Sequence, residues 1–392
     1  MAFIENLLGK KAGQEVQLSP DFYVVTDGPG HTLFNQLQVS EIQDKQKVVI
    51  IFDHDIPAGS FESARIQKEL IELARKGKMN LVQAEGIGYN VMLNDYVKPG
   101  SVVVSCGGHN SVYGAVGAIG LNLSTDELAT ALKTDALNFT VPETVAIYLS
   151  GTLGNNVTCK DFMLQLISEV GDTGFNGKAI DFCGPAIQSL NVAERMTLCA
   201  LAGRTGAVSA FISEEDVNND IAEKREYSLS SVTPTVALPG NLNTTKSVEV
   251  LEKIELAAGF IGGCTVGMND LRQCAEILKG KRIATDTRLT IAPPTNIMYL
   301  AAIEEGLIDI FIDCGAQIFN PGCASCVTTS KGVIGDGEVM LSSSCYNYAG
   351  CNGTKESQVF VSNASTVAFS ALAGYICTAN TQDGEVKHGP EI

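Results

Sequence analysis

The chain has 392 residues, 45% hydrophobic and 18% charged, with 39 glycines; this describes a folded, well-buried protein of two or three domains and excludes a disordered chain. Its net charge of −17, from 27 basic and 44 acidic residues, argues against a general nucleic-acid binder, which needs clustered Lys and Arg, while leaving room for a small anionic ligand. No stretch reaches the ~18 uninterrupted apolar residues of a membrane helix, and the start "MAFIENLLGKKAGQEV" has neither a long apolar core nor the charge order of a secretory signal. The expectation is a cytoplasmic protein with no membrane contact, whose twelve cysteines are reduced thiols or metal ligands.

In chain order, apolar strand-like runs alternate with amphipathic helical segments, which predicts parallel sheets covered by helices. "QKVVIIFDHDIP" (46–57) reads as a strand entering a polar turn. A helix follows over 60–78, with a serine start and a basic end. "GSVVVSCGGHN" (100–110) is a strand that empties into glycines, 126–138 is helical, and 143–153 returns to strand. Residues 193–213 give a helix, a glycine break and a strand. The polar, turn-rich stretch 214–250 is the best boundary or linker, after which 257–267, 270–283 and 289–318 resume the alternation. Asp53–His54, Gly107–His109, Cys264 and Cys323–Cys326 all sit at carboxyl ends of predicted strands, where open α/β sheets bind ligands. One site built from several strand ends would explain them together.

The pair in "NPGCASCVTTSKG" (320–332) has three readings. Zinc wants four ligands, and there is no second CxxC and only His31, His54, His109 and His388 to help. A redox dithiol opens a helix early in its domain, whereas this motif lies late. Cys264, in its own glycine turn "FIGGCTVG", adds a third thiol and favours an iron–sulfur cluster. Cys199, Cys274 and Cys377 sit in apolar periodic contexts and read as core residues.

Long segments carry a more specific signal: "VPETVAIYLSGTLGNNVTCKDFMLQLISEVG" (141–171), "SLNVAERMTLCALAGRTGA" (189–207) and "AEILKGKRIA…YLAAIEEGLIDIFIDCGAQIFNPGCASC" (275–326). With them the chain resembles the aconitase / 3-isopropylmalate dehydratase family, more closely the large subunits of its two-chain members. The resemblance implies an α/β fold of three α/β/α domains, placed at 1–140, 141–255 and 256–392, around a [4Fe-4S] cluster held by Cys264, Cys323 and Cys326. It implies hydro-lyase chemistry on a small carboxylic acid, with Asp53, His54 and His109 as catalytic groups. It also implies a small partner subunit carrying the swivelling domain, because the serine-base loop of the family is not found before the closing "VKHGPEI".

Several positions depart from the family pattern. The Asp-Ser-His segment reads Gly107-Gly108-His109; the acidic partner falls on Ser231; a histidine expected after "EGIGYNV" falls on Tyr89 or Asn90; and an asparagine beside Cys264 becomes Val266. The arginine clamp for substrate carboxylates reads "SSCYNYAGCNG" (343–353), which makes Cys345, Tyr346, Asn347 and Cys351 the candidate substrate-binding residues. Neither Cys nor Tyr reproduces a bidentate Arg–carboxylate contact. The expected substrate is therefore a hydroxy acid other than citrate or isopropylmalate. Two alternatives stay open: a cluster protein in which Cys345 is a fourth ligand, and a non-catalytic paralogue.

Overall fold

The computed structural model describes residues 2–214, 221–326 and 331–381; His388 and "VKHGPEI" lie outside the described residues. Three main sheets and a two-stranded ribbon organise the chain. The first sheet is parallel throughout, in the order Asn80–Gln83, Val48–Phe52, Phe22–Thr26, Val102–Ser105, Ile119–Asn122. Every residue of "VVIIF" at 48–52 is buried, as expected of a parallel strand covered on both faces. The following helix, Phe61–Gly77, starts where the Ser60 hydroxyl accepts from the Ser63 N–H and ends at Lys78 in the left-handed region, with Arg75 and Lys76 in its last turn.

The second sheet is also parallel, in the order Ser209–Ile212, Ala179–Cys183, Thr144–Ser150, Glu223–Ser228. The third is mixed: Thr245–Ser247, Thr235–Ala237, Gln358–Val361, Val339–Ser342, Ala258–Ile261, Arg288–Ile291, Gln317–Ile318. Its first two strands form an antiparallel hairpin drawn from the stretch the sequence reading treats as a linker, so the third sheet begins before residue 256. Of that hairpin only Thr245–Ser247 is an edge strand with partly exposed residues; Thr235–Ala237 lies inside the sheet and is buried throughout. The first two layers are not separate bodies: side chains of both, from Val24 and Val49 to Phe162 and Phe182, share one apolar core. Gly114 marks their closest approach, since a Cβ there would collide with the Ala210 carbonyl.

One helix stops sooner than its pattern suggests. The helix predicted over 126–138 is Thr125–Thr134; Asp135 turns left-handed, bound by Lys47 and the Tyr23 hydroxyl, and Leu137–Thr140 pairs antiparallel with Glu15–Leu18. Long-range pairing overrides the local helical signal there. The segment 270–283, read as part of the resumed strand–helix alternation, holds the helix Met268–Leu278, which ends at Lys279 before Gly280.

Strand order fixes where ligands can go. In the first sheet the chain reverses direction of growth between Phe22–Thr26 and Val102–Ser105; in the third it reverses between Ala258–Ile261 and Val339–Ser342. The loops leaving those four strands diverge and open a crevice at each reversal.

Candidate functional site

The loops of both crevices line one cavity of about 790 Å3 of atom-free space, part of it open to solvent. From the first sheet come Asp53, His54, Tyr89 and Cys106–His109; from the third come Gly263, Cys264, Cys323, Cys326, Cys345 and Tyr346. Asp53, His54, His109, Cys264, Cys323 and Cys326, far apart in sequence, are thus brought together. So are Cys345 and Tyr346. Asn347 and Cys351 do not join them: the Asn347 amide donates to the Leu238 carbonyl at 2.5 Å, and the Cys351 thiol is buried against Asn352 at 2.9 Å. Ser231 is exposed and bonds the Ser228 carbonyl, and Val266 is buried in the core of the third layer.

Asp53 is pinned from several sides. Its backbone N–H and that of His54 donate to Asp27 Oδ1, each at 3.0 Å, while its own Oδ2 accepts from the Gly88 N–H at 2.8 Å. The remaining oxygen accepts from His54 Nδ1 at 2.5 Å. Burial works against a charged His54, but the Asp53 carboxylate outweighs it and holds the imidazole above its ordinary value. Sequence reading missed Asp27, although it ends the neighbouring strand just as Asp53 ends its own.

His109 is built differently. Its Nδ1–H donates to the Ala200 carbonyl at 3.1 Å, which leaves Nε2 as an acceptor facing Arg204 Nη2 at 3.5 Å. Burial pushes this histidine below its ordinary value, and the Arg204 charge adds to that against an opposing contribution from Cys345. Its backbone N–H donates to the Tyr89 hydroxyl at 3.2 Å, so Tyr89, rather than Asn90, reaches the cavity. A Cβ at Gly107 would collide with that hydroxyl, which accounts for the glycine.

The cysteine turns are tied to each other and to the Asp53 turn. The Ser343 hydroxyl accepts from the Gly262 N–H at 2.8 Å and donates to the Gly262 carbonyl at 2.9 Å, joining the turns that carry Cys264 and Cys345. The Cys323 N–H donates to the Asp53 carbonyl at 2.7 Å. Lys160, only 4% exposed, opens the helix Cys159–Val170 and donates to the Ser343 carbonyl and, at 3.1 Å, to that of Ser344. Asp161 beside it accepts from the Thr235 N–H at 2.9 Å and the Asn363 amide at 2.7 Å.

The thiols crowd one another. A bond from Cys264 pulls Cys345 well below its ordinary value, helped by Lys160 and His109; the same bond and burial push Cys264 well up. Burial also raises Cys323, and Cys326 to about 11. Asp53, His54 and Cys323 lie close enough together to share a metal ion, with ligand atoms within 4.8 Å of one another. Several sulfur donors that disfavour one another as thiolates suit a cationic, sulfur-seeking centre.

Comparison with known proteins gives this geometry a context. The profile of the aconitase family (aconitate hydratase) matches residues 9–233 and 220–374. The chain belongs to the aconitase family. It is 32% identical over 390 residues to the 3-isopropylmalate dehydratase large subunit 2 of Archaeoglobus fulgidus, covering 93% of this chain and 94% of that one. To a probable methanogen homoaconitase large subunit of Methanothermobacter thermautotrophicus it is 31% identical over 369 residues, covering 88% and 86%. To the 3-isopropylmalate dehydratase large subunit of Methanoregula boonei it is 33% identical over 392 residues, covering 93% and 94%. The α/β architecture with mainly parallel sheets fits this aconitase-family membership. Among the described residues no helix is long and apolar enough to cross a membrane.

Proposed function

We propose that the chain is the large subunit of an iron–sulfur hydro-lyase that adds water to, or removes it from, a small hydroxy carboxylic acid. The observation carrying this reading is the convergence of Cys264, Cys323 and Cys326 on the wall that also holds Asp53, His54 and His109. Those three cysteines would hold a [4Fe-4S] cluster, which when bound supplies a Lewis-acidic iron for the hydroxyl group. His54, fixed through Nδ1 on Asp53, keeps a proton available at Nε2 for a departing hydroxyl. His109, with Nδ1–H spent on the Ala200 carbonyl, presents Nε2 as an acceptor. The carbon-bound proton falls to a base from a small partner subunit, in keeping with relatives named as large subunits.

The substrate proposed is neither citrate nor isopropylmalate, since Tyr346 and Cys351 stand where the clamp arginines are expected and Cys345 where the asparagine before the first of them is expected. A second reading has one observation in its favour: Cys345 lines the same wall as Cys264, Cys323 and Cys326, so a fourth thiol is within the donor set. Anaerobic reconstitution should give about four irons per chain and a broad charge-transfer absorption. Mild oxidation should convert the cluster to a three-iron form by electron paramagnetic resonance. Resistance to that conversion, lost in Cys345→Ala, would favour the four-cysteine reading. A screen of hydroxy and enoic acids with the purified two-subunit complex should reveal hydration. A chain that takes up no iron would sink both readings.

A further inference from the structure

We propose that Arg204 is the group that binds the substrate's carboxylate, replacing the missing arginine clamp from a different element of the fold; this rests on the hydro-lyase reading of the same cavity. Arg204 sits in the turn Gly203–Thr205, which continues the buried helix Val192–Ala202. The turn is rigid. The Thr205 hydroxyl donates to the Ala202 carbonyl at 2.7 Å, and Gly206 closes it at φ +86°, packed against the backbone of Asn176.

The guanidinium is held on two sides by residues of the cavity wall. Its carbon lies 4.3 Å from the centre of the Tyr346 ring, and Nη2 is 3.5 Å from His109 Nε2. Its Nε is buried with no hydrogen-bond partner, and among the described residues no carboxylate pairs with the charge. Arg204 stands behind the lining residues Tyr346 and His109 rather than among them. A guanidinium partly withdrawn from water, with a free N–H and no carboxylate partner among the described residues, is a poor resting arrangement; an anion entering beside Tyr346 and His109 completes it. Two cations act on His109, Arg204 and Lys160, and Lys160 is already committed to the carbonyls of Ser343 and Ser344. His54 is paired with Asp53, so among the described groups around His109 and the cavity wall Arg204 is the cation left without a carboxylate.

The rest of the lining sets the substrate class. Val24, Ile87, Tyr89 and Tyr346 offer apolar and aromatic surface where a dicarboxylate would need a second cation. The ligand implied is a 2- or 3-hydroxy monocarboxylate, or its enoic counterpart, with a short apolar remainder. Stacking on Tyr346 orients the guanidinium plane, so Tyr346 is a positioning residue for Arg204.

The test uses the reconstituted two-subunit complex, with 2-hydroxybutyrate and crotonate as monocarboxylate probes and malate as the dicarboxylate control. Binding is read by calorimetry and by perturbation of the cluster's electron paramagnetic resonance spectrum, independently of turnover. Wild type should bind both monocarboxylates more tightly than malate. Arg204→Gln should weaken them roughly 10- to 100-fold, with iron content, melting temperature and small-subunit association unchanged. Arg204→Lys should recover part of the affinity, and would carry the test alone if the glutamine variant fails to fold. Unchanged probe affinity in both variants would overturn the proposal. So would a variant whose only defect is loss of the small subunit, which would mean that a carboxylate of the partner subunit pairs with Arg204. Arginine-dependent binding without turnover of any hydroxy or enoic acid would keep the carboxylate site and sink the hydro-lyase reading instead.

Discussion

Two histidines reach the same cavity from parallel strands on either side of Phe22–Thr26, and their surroundings drive them in opposite directions. His54 rests on a carboxylate fixed by the Gly88 N–H, in a turn whose backbone N–H groups donate to Asp27, and it is held above its ordinary value despite burial. His109 rests on a main-chain carbonyl with a guanidinium at its other nitrogen, and burial with that charge lowers it. Two groups of the same type separated in this way can act as a proton donor and a proton acceptor at one pH. The lesson is that a turn reduced to Gly107-Gly108-His109 still supplies one titratable group. Its surroundings, a main-chain carbonyl and a guanidinium, favour the neutral ring.

The largest effect should come from dissolving the difference on the His54 side. Asp53→Asn keeps an oxygen for the Gly88 N–H but removes the charge that holds the His54 imidazolium. Turnover of the two-subunit complex should fall roughly 10²- to 10⁴-fold with iron content retained. A drop of less than about tenfold would show that His54 is not a proton donor in the reaction.

The cost of burying a carboxylate can be isolated away from the cavity, at Asp181 on the strand Ala179–Cys183. Its Oδ2 accepts from the Phe3 N–H at 2.8 Å, its Oδ1 has no partner, and burial pushes the carboxyl up to about 6 despite that bond. A native value above the unfolded one of about 4 means that the folded chain binds the proton more tightly. This contribution to stability is full below about pH 4, shrinks as pH rises towards 6 and is gone above. Asp181→Asn should therefore stabilise the protein at pH 7 by up to about 2–3 kcal/mol, and by little at pH 4. Denaturant titrations at the two pH values decide it; an equal effect at both would mean that the carboxylate is solvated after all.

Much of the site can be read from the sequence, because the residues that carry it sit in one kind of place. An apolar parallel strand followed by a glycine or an acidic turn is a local pattern, and Asp53, Cys106–His109 and Cys264 all follow such strands. What stays illegible is settled by packing between layers. The hairpin at 235–247 reads as a linker because its strands are only three residues long and are set among turn residues, and the end of the helix at Thr134 depends on Tyr23 and Lys47, which are distant in sequence. Arg204 escapes for the same reason: in "AGRTGA" it looks like a surface turn, and only the fold lays it across Tyr346. Asn347 and Cys351 show the converse, since neighbours of a cavity residue in sequence can point into the protein.

The smallest effect tests how His109 is placed rather than how it is charged. The Tyr89 hydroxyl accepts the His109 N–H, and burial pushes that phenol well above its ordinary value, so it stays protonated and can also offer its own hydrogen. Tyr89→Phe keeps the ring, which meets His109 edge-on with centroids 6.0 Å apart, and removes only the oxygen. If the hydroxyl does no more than hold the turn, stability should fall by about 1 kcal/mol in denaturant titration, with KM unchanged and kcat lowered a few-fold. If stability is untouched while kcat falls roughly a hundredfold, the hydroxyl touches the reacting molecule. The turn at 107–109 would then hold two reacting groups, His109 and Tyr89, and the contrast with the Asp53 turn would be one of composition as well as charge.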